Sequence, residues 1–153
     1  MSVESSVEAN KAVVRRAYVE GMTKHDLDVI RECFSPDYIC RFPGGGALVG
    51  RPQFLEFLTA FMDAFPDMVY TVEDTVGEGD KVVARWVGTG THTRPFRAFA
   101  PHTEGIPASG RKVRFVANDI YLVVGGQIVE EWNSLTDADV KFQIGVLLEK
   151  DAE

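Results

Sequence analysis

The fold is decided by residues 112–136, KVRFVANDIYLVVGGQIVEEWNSLT. Apolar and polar side chains alternate on both sides of the pair Gly125-Gly126, which is typical of two antiparallel strands joined by a tight turn. We predict strands at 112–124 and 127–136. A hairpin of this length needs further strands beside it and a layer that covers one of its faces.

Two more strands are predicted upstream, at 69–76 and 81–92, where β-branched and apolar residues flank the turn Glu78-Gly79-Asp80. A shorter strand is predicted at 38–42. These segments extend the hairpin into a mostly antiparallel sheet.

The first half of the chain predicts three helices. The first presents an apolar stripe at Val13, Val14, Ala17, Tyr18 and Gly21. The second carries Leu27, Ile30 and Phe34 and takes Asp26 as its N-cap, and the third begins near Pro52 and must end by Pro66. Helices followed by long strands predict an α+β fold with the helices on one face of a curved sheet.

Composition limits the function. The 153 residues suffice for one domain, and 45% hydrophobic with 25% charged residues is usual for a globular protein. We predict a single domain over 1–153, with residues 1–8 disordered. The net charge of −7 repels phosphate backbones and anionic lipids, so we expect neither nucleic acid nor membrane as a partner.

Cofactor chemistry finds little support in the sequence. The three histidines, His25, His92 and His102, lie in separate segments, and the run Gly44–Gly46 lacks the lysine of a phosphate-binding loop. Cys33 and Cys40 are expected to be free thiols, because the first residues do not resemble a secretory signal and a cytoplasmic location follows. We therefore expect no cofactor and no metal.

A long loop at 95–109 separates two strong strands, contains three prolines, one glycine and two aromatic residues, and is too long for a hairpin turn. Loops of that length usually carry function. We predict that residues 99–107 form a mobile lid whose shortening changes turnover more than folding.

Several stretches together resemble the SnoaL-like polyketide cyclases, in the superfamily of nuclear transport factor 2 and ketosteroid isomerase. They are AFPD at 64–67, GDKVVARW at 79–86, GTGTH at 88–92, GQIVEEW at 126–132 and QIGV at 143–146. The resemblance covers nearly the whole chain. It implies a cone-shaped, curved sheet wrapped by the three N-terminal helices, and a pocket for an apolar polyketide.

The resemblance also implies where chemistry takes place. Tyr18 and Asp119 match the positions of the two groups that polarise a carbonyl in the isomerases, the second being a carboxylic acid kept protonated by apolar surroundings. Burial among Phe115, Ala117 and Tyr121 would raise the pKa of Asp119 in the same way. For either residue alone, a structural role is the simpler interpretation.

Departures from the family are equally informative. The general base of the isomerases would fall at Phe42, and the acid/base aspartate of the aldol cyclases falls at Asn133. Histidines that those cyclases carry near this aspartate are replaced here by Asp119 and Glu131. Asn133 cannot accept a proton, so an aldol mechanism would need Glu131 or Asp119 as its base.

The turn decides which residues face the pocket. A two-residue loop places Asp119 opposite Trp132, whereas a three-residue loop with Gly126 as a bulge places it opposite Glu131. We favour the bulged turn, which puts Asp119, Glu131 and Asn133 on the concave face and leaves an apolar outer face.

The predicted site therefore has two parts. The catalytic candidates are Tyr18, Asp119, Glu131, Asn133 and, at a strand end beside the lid, His92, for which a structural role is more usual. The predicted substrate-binding residues are aromatic: Phe42, Phe57, Phe61, Phe65, Trp86, Phe115 and Tyr121.

These residues predict a cofactor-free cyclase that closes a ring in a hydrophobic polyketide of an antibiotic pathway, by a [4+2] or similar cyclisation. An aldol cyclase, a dehydratase or isomerase, and an epoxide-opening cyclase remain alternatives, as does a non-catalytic binder of a hydrophobic metabolite. The outer residues Val116, Ile120, Leu122 and Trp132 are too apolar for water and predict a homodimer.

Overall fold

The computed structural model describes residues 3–98 and 104–146. The elements in chain order are helix α1 (Val3–Arg16), a π-helix (Ala17–Met22), α2 (Leu27–Cys33), β1 (Phe34–Arg41), β2 (Ala47–Val49), α3 (Arg51–Ala64), β3 (Val69–Glu78), β4 (Lys81–Thr91), β5 (Lys112–Val124), β6 (Gln127–Trp132) and α4 (Asp137–Gln143).

The strands form one sheet in the order β2-β1-β6-β5-β4-β3. Only β1 and β6 pair in parallel among these described strands, and the other neighbours are antiparallel. Register shifts in β3 and β6 bend the sheet, since an extra residue in one strand increases local twist and curvature. The predicted α+β class with a mostly antiparallel, curved sheet is confirmed.

Local signals placed several boundaries correctly. Asp26 caps α2 by accepting from the backbone N–H groups of Asp28 and Val29, both at 3.1 Å. Pro52 lies in the first turn of α3, and strand 112–124 has the predicted bounds. No helix in the described ranges is long and apolar enough to cross a membrane.

Other boundaries differ. Residues 3–8 belong to α1 rather than to a disordered segment, and Phe34 starts β1 instead of ending α2. β6 ends at Trp132 because the next residues bond away from the ladder: Ser134 N–H donates to the Asp119 side chain and Leu135 N–H to the Asn133 side chain. Helix α4 and strand β2 were not predicted from the sequence.

Residues 99–103 of the predicted lid lie outside the described residues, so the lid stays a prediction. The chain on either side is joined by a backbone bridge between Phe96 and Ile106, with both hydrogen bonds at 2.9 Å.

Neither of the two registers predicted for β5 and β6 occurs in the structure. Val124 pairs with Gln127, so Gly125 and Gly126 form a two-residue turn, and both have the positive φ that a type I′ turn requires. The extra residue is Val129, because Val123 pairs with Ile128 but Leu122 pairs with Glu130. Beyond this bulge Tyr121, not Asp119, lies opposite Glu131.

The bulge at Val129 nevertheless gives the predicted facing. Strand side chains alternate, so a shift of one residue moves each side chain to the other face of the sheet. Without the extra residue, Trp132 would point inward and Glu131 outward. With it, Glu131 is 4% exposed on the concave side and Trp132 is 36% exposed on the outer side.

A π-helix positions Tyr18. The N–H of Thr23 donates to the carbonyl of Tyr18, five residues earlier, and Tyr18 is buried. The widened turn also brings Gly21 against Ile30 of α2, where a side-chain carbon on Gly21 would collide with the Ile30 Cδ1. Single π turns are frequent at functional sites.

We expect Gly21→Ala to destabilise the protein. Ile30 is fully buried, and both its Cδ1 and its Cγ1 lie close to the added carbon, so overpacking of about 1–3 kcal/mol should exceed the roughly 1 kcal/mol that alanine gains over glycine in a helix. Urea unfolding measures the difference. Gly44→Ala is the control, since nothing lies within 4 Å of a carbon added there, and equal stability of the two variants would contradict close packing at Gly21.

Candidate active site

A cavity lies between the concave face of the sheet and helices that cover it. Its void, with the open mouth included, is ≈ 610 Å³. It is lined by Tyr18, Met22, Cys40, Phe42, Phe54, Phe57, Leu58, Phe61, Tyr70, Trp86, Phe115, Glu131, Asn133 and Leu135. The wall is therefore largely aromatic, with few polar groups, as is usual for a site that holds an apolar molecule.

Asp119 is the centre of the polar network beneath this wall. Its Oδ2 accepts from Trp86 Nε1 at 2.9 Å, from Asn133 Nδ2 at 3.1 Å and from the Tyr121 hydroxyl at 3.4 Å. Its Oδ1 accepts from the backbone N–H of Ser134 at 2.8 Å and from the Ser134 hydroxyl at 3.2 Å. Both oxygens are thus occupied as acceptors.

This geometry changes the role predicted for Asp119. The side chain is fully buried but does not line the cavity, and its neighbours are groups that donate. Each of its oxygens already accepts from protein donors, so neither is turned toward a ligand. The predicted direct donation from Asp119 to a substrate carbonyl does not fit this position; Asp119 orients Trp86 and Asn133 instead.

Glu131 is the carboxyl that lines the cavity. The Tyr38 hydroxyl donates to its Oε1 at 2.6 Å, and Asn133 Nδ2 donates to its Oε2 at 3.2 Å. Burial raises the pKa of Glu131 well above its usual range, and the negative charge of Asp119 raises it further. The bonds from Tyr38 and Asn133 act in the opposite direction but do not cancel the rise. Glu131 is therefore favoured as the neutral acid, the state expected for Asp119 from the sequence.

Asn133 lies between the two carboxyl groups. Its Nδ2 donates to both Asp119 and Glu131, and its Oδ1 accepts from the N–H of Leu135 at 2.8 Å. These contacts fix which end of the amide faces the acids. Asn133 can donate hydrogen bonds here, but it cannot exchange a proton with the substrate.

Tyr18 lines the cavity, and its hydroxyl bonds to the hydroxyl of Tyr121, which lies behind the wall. Burial raises the pKa of Tyr18 well above its usual range, so Tyr18 stays a neutral phenol. Its ring stacks on Trp86 with the centroids 5.6 Å apart. The Tyr121 hydroxyl has a single proton. While it donates to Asp119, Tyr18 donates to Tyr121; when it turns to Tyr18 instead, the Tyr18 proton is free to bond to a carbonyl in the cavity.

Most predicted aromatic residues line the cavity, but two do not. Phe42, Phe57, Phe61, Trp86 and Phe115 are in the wall. Phe65 packs behind Phe61 and Phe115, and Tyr121 lies behind Tyr18, so the prediction that these two contact substrate is not supported by their positions.

His92 is buried away from the cavity. Its ring contacts Phe65 with the centroids 5.4 Å apart, and its Nδ1 accepts from the N–H of Ser109 at 3.1 Å. Burial lowers the pKa of His92, so it is favoured as the neutral ring. The contacts support the structural role for His92 that the sequence analysis had set beside the catalytic one.

Several wall residues were missed. Phe54 and Leu58 share the stripe of α3 with Phe57 and Phe61, so helical spacing could have identified them. Cys40, Met22 and Leu135 carry no signal in the sequence that separates a cavity wall from an ordinary core. Tyr38, the donor to Glu131, comes from β1 and is buried between Phe34 and Phe54.

The curved sheet covered by helices is typical of cone-shaped proteins that bind or convert small molecules. The aromatic cavity with Tyr18 and Glu131 in its wall is consistent with this class. The sequence model of the SnoaL-like polyketide cyclases matches residues 12–144, so the chain belongs to this family. The fold is the cone of the nuclear transport factor 2 superfamily, as the resemblance predicted. No curated protein sequence matches the chain.

Solved structures agree with the family. A candidate SnoaL-like polyketide cyclase from Jannaschia sp. CCS1 is 28% identical with a TM-score of 0.78, over 93% of this chain and 95% of that one. IdmH, a candidate polyketide cyclase from Streptomyces antibioticus, is 29% identical with a TM-score of 0.70, over 90% and 99%. TsrD from Streptomyces laurentii is 27% identical with a TM-score of 0.71, over 96% and 100%.

The raised pKa of Glu131 predicts that the free energy of unfolding depends on pH. The folded protein holds this proton above the usual glutamate range, so wild-type stability falls as pH rises from about 4.3 towards the folded pKa. Glu131→Gln has no such proton. We expect its free energy of unfolding, relative to wild type, to rise with pH by at most about 1.4 kcal/mol per unit. Urea unfolding across this range measures it, and a difference that stays constant contradicts the assignment.

Tyr38→Phe gives the matched variant. In the wild type the Tyr38 hydroxyl donates to Glu131 and thereby lowers the pKa of that carboxyl. Removal of the hydroxyl should therefore raise the pKa of Glu131 further and leave the packing of the ring intact. A ¹³C-glutamate NMR titration reports the change. A lowered pKa in Tyr38→Phe would contradict this role for Tyr38.

Proposed function

We propose that the protein is a cofactor-free, ring-closing cyclase that acts on a largely apolar polyketide in natural-product, antibiotic-type biosynthesis. One observation carries the proposal: Tyr18 and the buried Glu131 share the wall of one aromatic cavity. The family and the structural neighbours support a cyclase-type role. The polar groups of the cavity decide which type of ring closure fits best.

The cavity suits a reaction driven by positioning and carbonyl polarisation. Aromatic walls fold a flexible chain so that its reacting ends meet, which removes much of the entropic barrier. Tyr18 and neutral Glu131 donate to a carbonyl conjugated with the dienophile. In a [4+2] closure two carbon–carbon σ bonds form at the expense of two π bonds, no group leaves, and no proton is transferred.

A proton-transfer mechanism has fewer suitable groups. Phe42 and Asn133 occupy the positions of the family's bases, and the oxygens of Asp119 are engaged behind the wall. An aldol closure would need Glu131 to take the α-proton, the resulting enolate carbon to attack a second carbonyl, and the alkoxide to be protonated. A raised pKa opposes the carboxylate that starts this sequence at neutral pH.

An acid–base pair for dehydration, isomerisation or epoxide opening is supported less. Each needs two groups that reach the substrate, and Asp119 is not in the wall. A binder without catalysis would hold the same ligands but show no turnover. These functions are outcomes of the experiment below.

The pH dependence of ring closure separates the two cyclase mechanisms. If neutral Glu131 donates to a carbonyl, the rate is high at low pH and falls as pH rises through the raised pKa of Glu131. If Glu131 is a base, the rate rises with pH instead. Glu131→Gln sharpens the test, because an amide N–H still donates but cannot abstract a proton: it should retain activity in the first case and lose it in the second.

We expect Tyr18→Phe to slow a cycloaddition by roughly tenfold, less than the hundredfold or more typical of a lost donor to a full oxyanion. Asn133→Asp should assist an aldol closure by restoring a proton-accepting carboxylate, whereas a cycloaddition should gain nothing from it, because the variant loses the donor to Asp119 and Glu131. The readouts are single-turnover rates with the cognate chain and uptake of solvent deuterium, which only the proton-transfer route requires. If Tyr18→Phe does not change the rate and the wild-type rate does not fall as pH rises through the raised pKa of Glu131, polarisation by this pair is wrong.

We also propose a homodimer through the outer face of the sheet. Val76, Val83, Ile120 and Trp132 are paired in register across β3, β4, β5 and β6 and form one apolar row. Val76 is 63% exposed and Ile120 is 39% exposed in the single chain. A second copy can cover such a row with the same row, as a two-fold interface requires.

Ile120→Glu should therefore convert a dimer into a monomer in sedimentation at micromolar concentration, because it places a charge in the centre of the row. Val49→Glu is the control, since Val49 is also exposed but lies on β2 at the far edge of the sheet. A wild-type monomer at that concentration would rule the interface out.

A further inference from the structure

A second groove opens beside the cavity and shares one wall with it. It is lined by Leu48, Gln53, Glu56, Phe57, Ala60, Arg97 and Ala98. Phe57 also lines the cavity, where its ring lies 5.5 Å from that of Phe42 and 5.0 Å from that of Phe61. The Phe57 side chain therefore separates an aromatic inner space from a more polar outer one.

The polar side of the groove comes from two segments. Gln53 and Glu56 lie on the same face of α3 as Phe57. The Gln53 Oε1 accepts from the N–H of Val49 at 2.9 Å, which orients the amide so that its NH₂ end is the donor left over. Arg97 approaches from the chain that follows β4.

Arg97 is held in place by its surroundings. Its Nε donates to the carbonyl of Glu104 at 3.3 Å, and its stem crosses Gly105, where an added side-chain carbon would lie 2.6 Å from the Arg97 Cγ. Gly105 has φ +80°, so glycine suits both the conformation and the close approach. Within the described ranges, the two terminal nitrogens of Arg97 have no partner, whereas Arg94 nearby is paired with Asp63 at 3.3 Å.

We propose that this groove binds a carboxylate at one end of the ligand while the apolar remainder passes Phe57 into the cavity. The planar guanidinium presents a fork that fits the two oxygens of a carboxylate. Glu56 in the same groove offsets the positive charge and disfavours a dianion such as a phosphate monoester. The inference rests on the proposed function in taking the ligand of the cavity as the substrate, which is then an amphiphilic acid.

Binding of chain-length-matched probes tests this without turnover. Trp132→Phe removes the tryptophan on the outer face, so the remaining fluorescence comes from Trp86 in the cavity wall and reports occupancy there. Decanoate, decanol and decyl phosphate are titrated in this background at about pH 8. We expect decanoate to bind about fivefold more tightly than decanol, the scale of a solvent-exposed charge pair, and more tightly than decyl phosphate.

Arg97→Ala should bring decanoate to the affinity of decanol and leave decanol unchanged. Arg94→Ala is the matched control, since it removes an exposed arginine outside the groove, and it should preserve the preference. Equal binding of decanoate and decanol to the starting protein, a preference that survives Arg97→Ala, or no change in Trp86 fluorescence with any probe would each overturn the proposal. Absence of cyclase turnover with an intact Arg97-dependent preference would overturn only the proposed function.

Discussion

The carboxylate of Asp119 lies fully buried in the middle of the sheet, and the rest of the site is arranged around it. A buried polar group is costly unless it is hydrogen-bonded, and here the ring of Trp86, the amide of Asn133, the hydroxyl of Tyr121 and both donors of Ser134 satisfy it. These donors come from β4, from β5 itself and from the chain after β6. One side chain thereby fixes the relative positions of segments that are far apart in sequence.

The burial of Asp119 near Glu131 contributes to the raised pKa of Glu131. Two carboxyl groups that share apolar surroundings repel each other when both are charged, and one is favoured as the neutral acid. Asp119 has the donors of four residues, whereas Glu131 has Tyr38 and Asn133 and faces the cavity. The proton is accordingly favoured on Glu131, where a ligand can reach it. The apolar wall that binds a polyketide and the acid that polarises its carbonyl are consequences of the same burial.

Backbone irregularities aim these groups. The bulge at Val129 turns Glu131 inward, and the π-helix places Tyr18 on the cavity side of the first helical segment. Each departs from ideal strand or helix geometry where the site is built. Gly21 allows the π-helix to pack closely on Ile30, and the pair Gly125-Gly126 supplies the positive φ of the turn that precedes the bulge.

The sequence by itself determined the α+β class, the strand 112–124, the start of α3 near Pro52 and the N-cap at Asp26, because these depend on side-chain period and local hydrogen bonds. It also identified Tyr18, Glu131, Asn133 and most of the aromatic wall. Only the tertiary structure decided which carboxyl is neutral, because that depends on donors brought from distant segments, such as Tyr38 of β1 and Ser134 after β6. It also placed Phe65, Tyr121 and His92 behind the wall. The period of a strand or helix shows which face a side chain lies on, but it does not show whether that side chain reaches the cavity or stops in the core behind it.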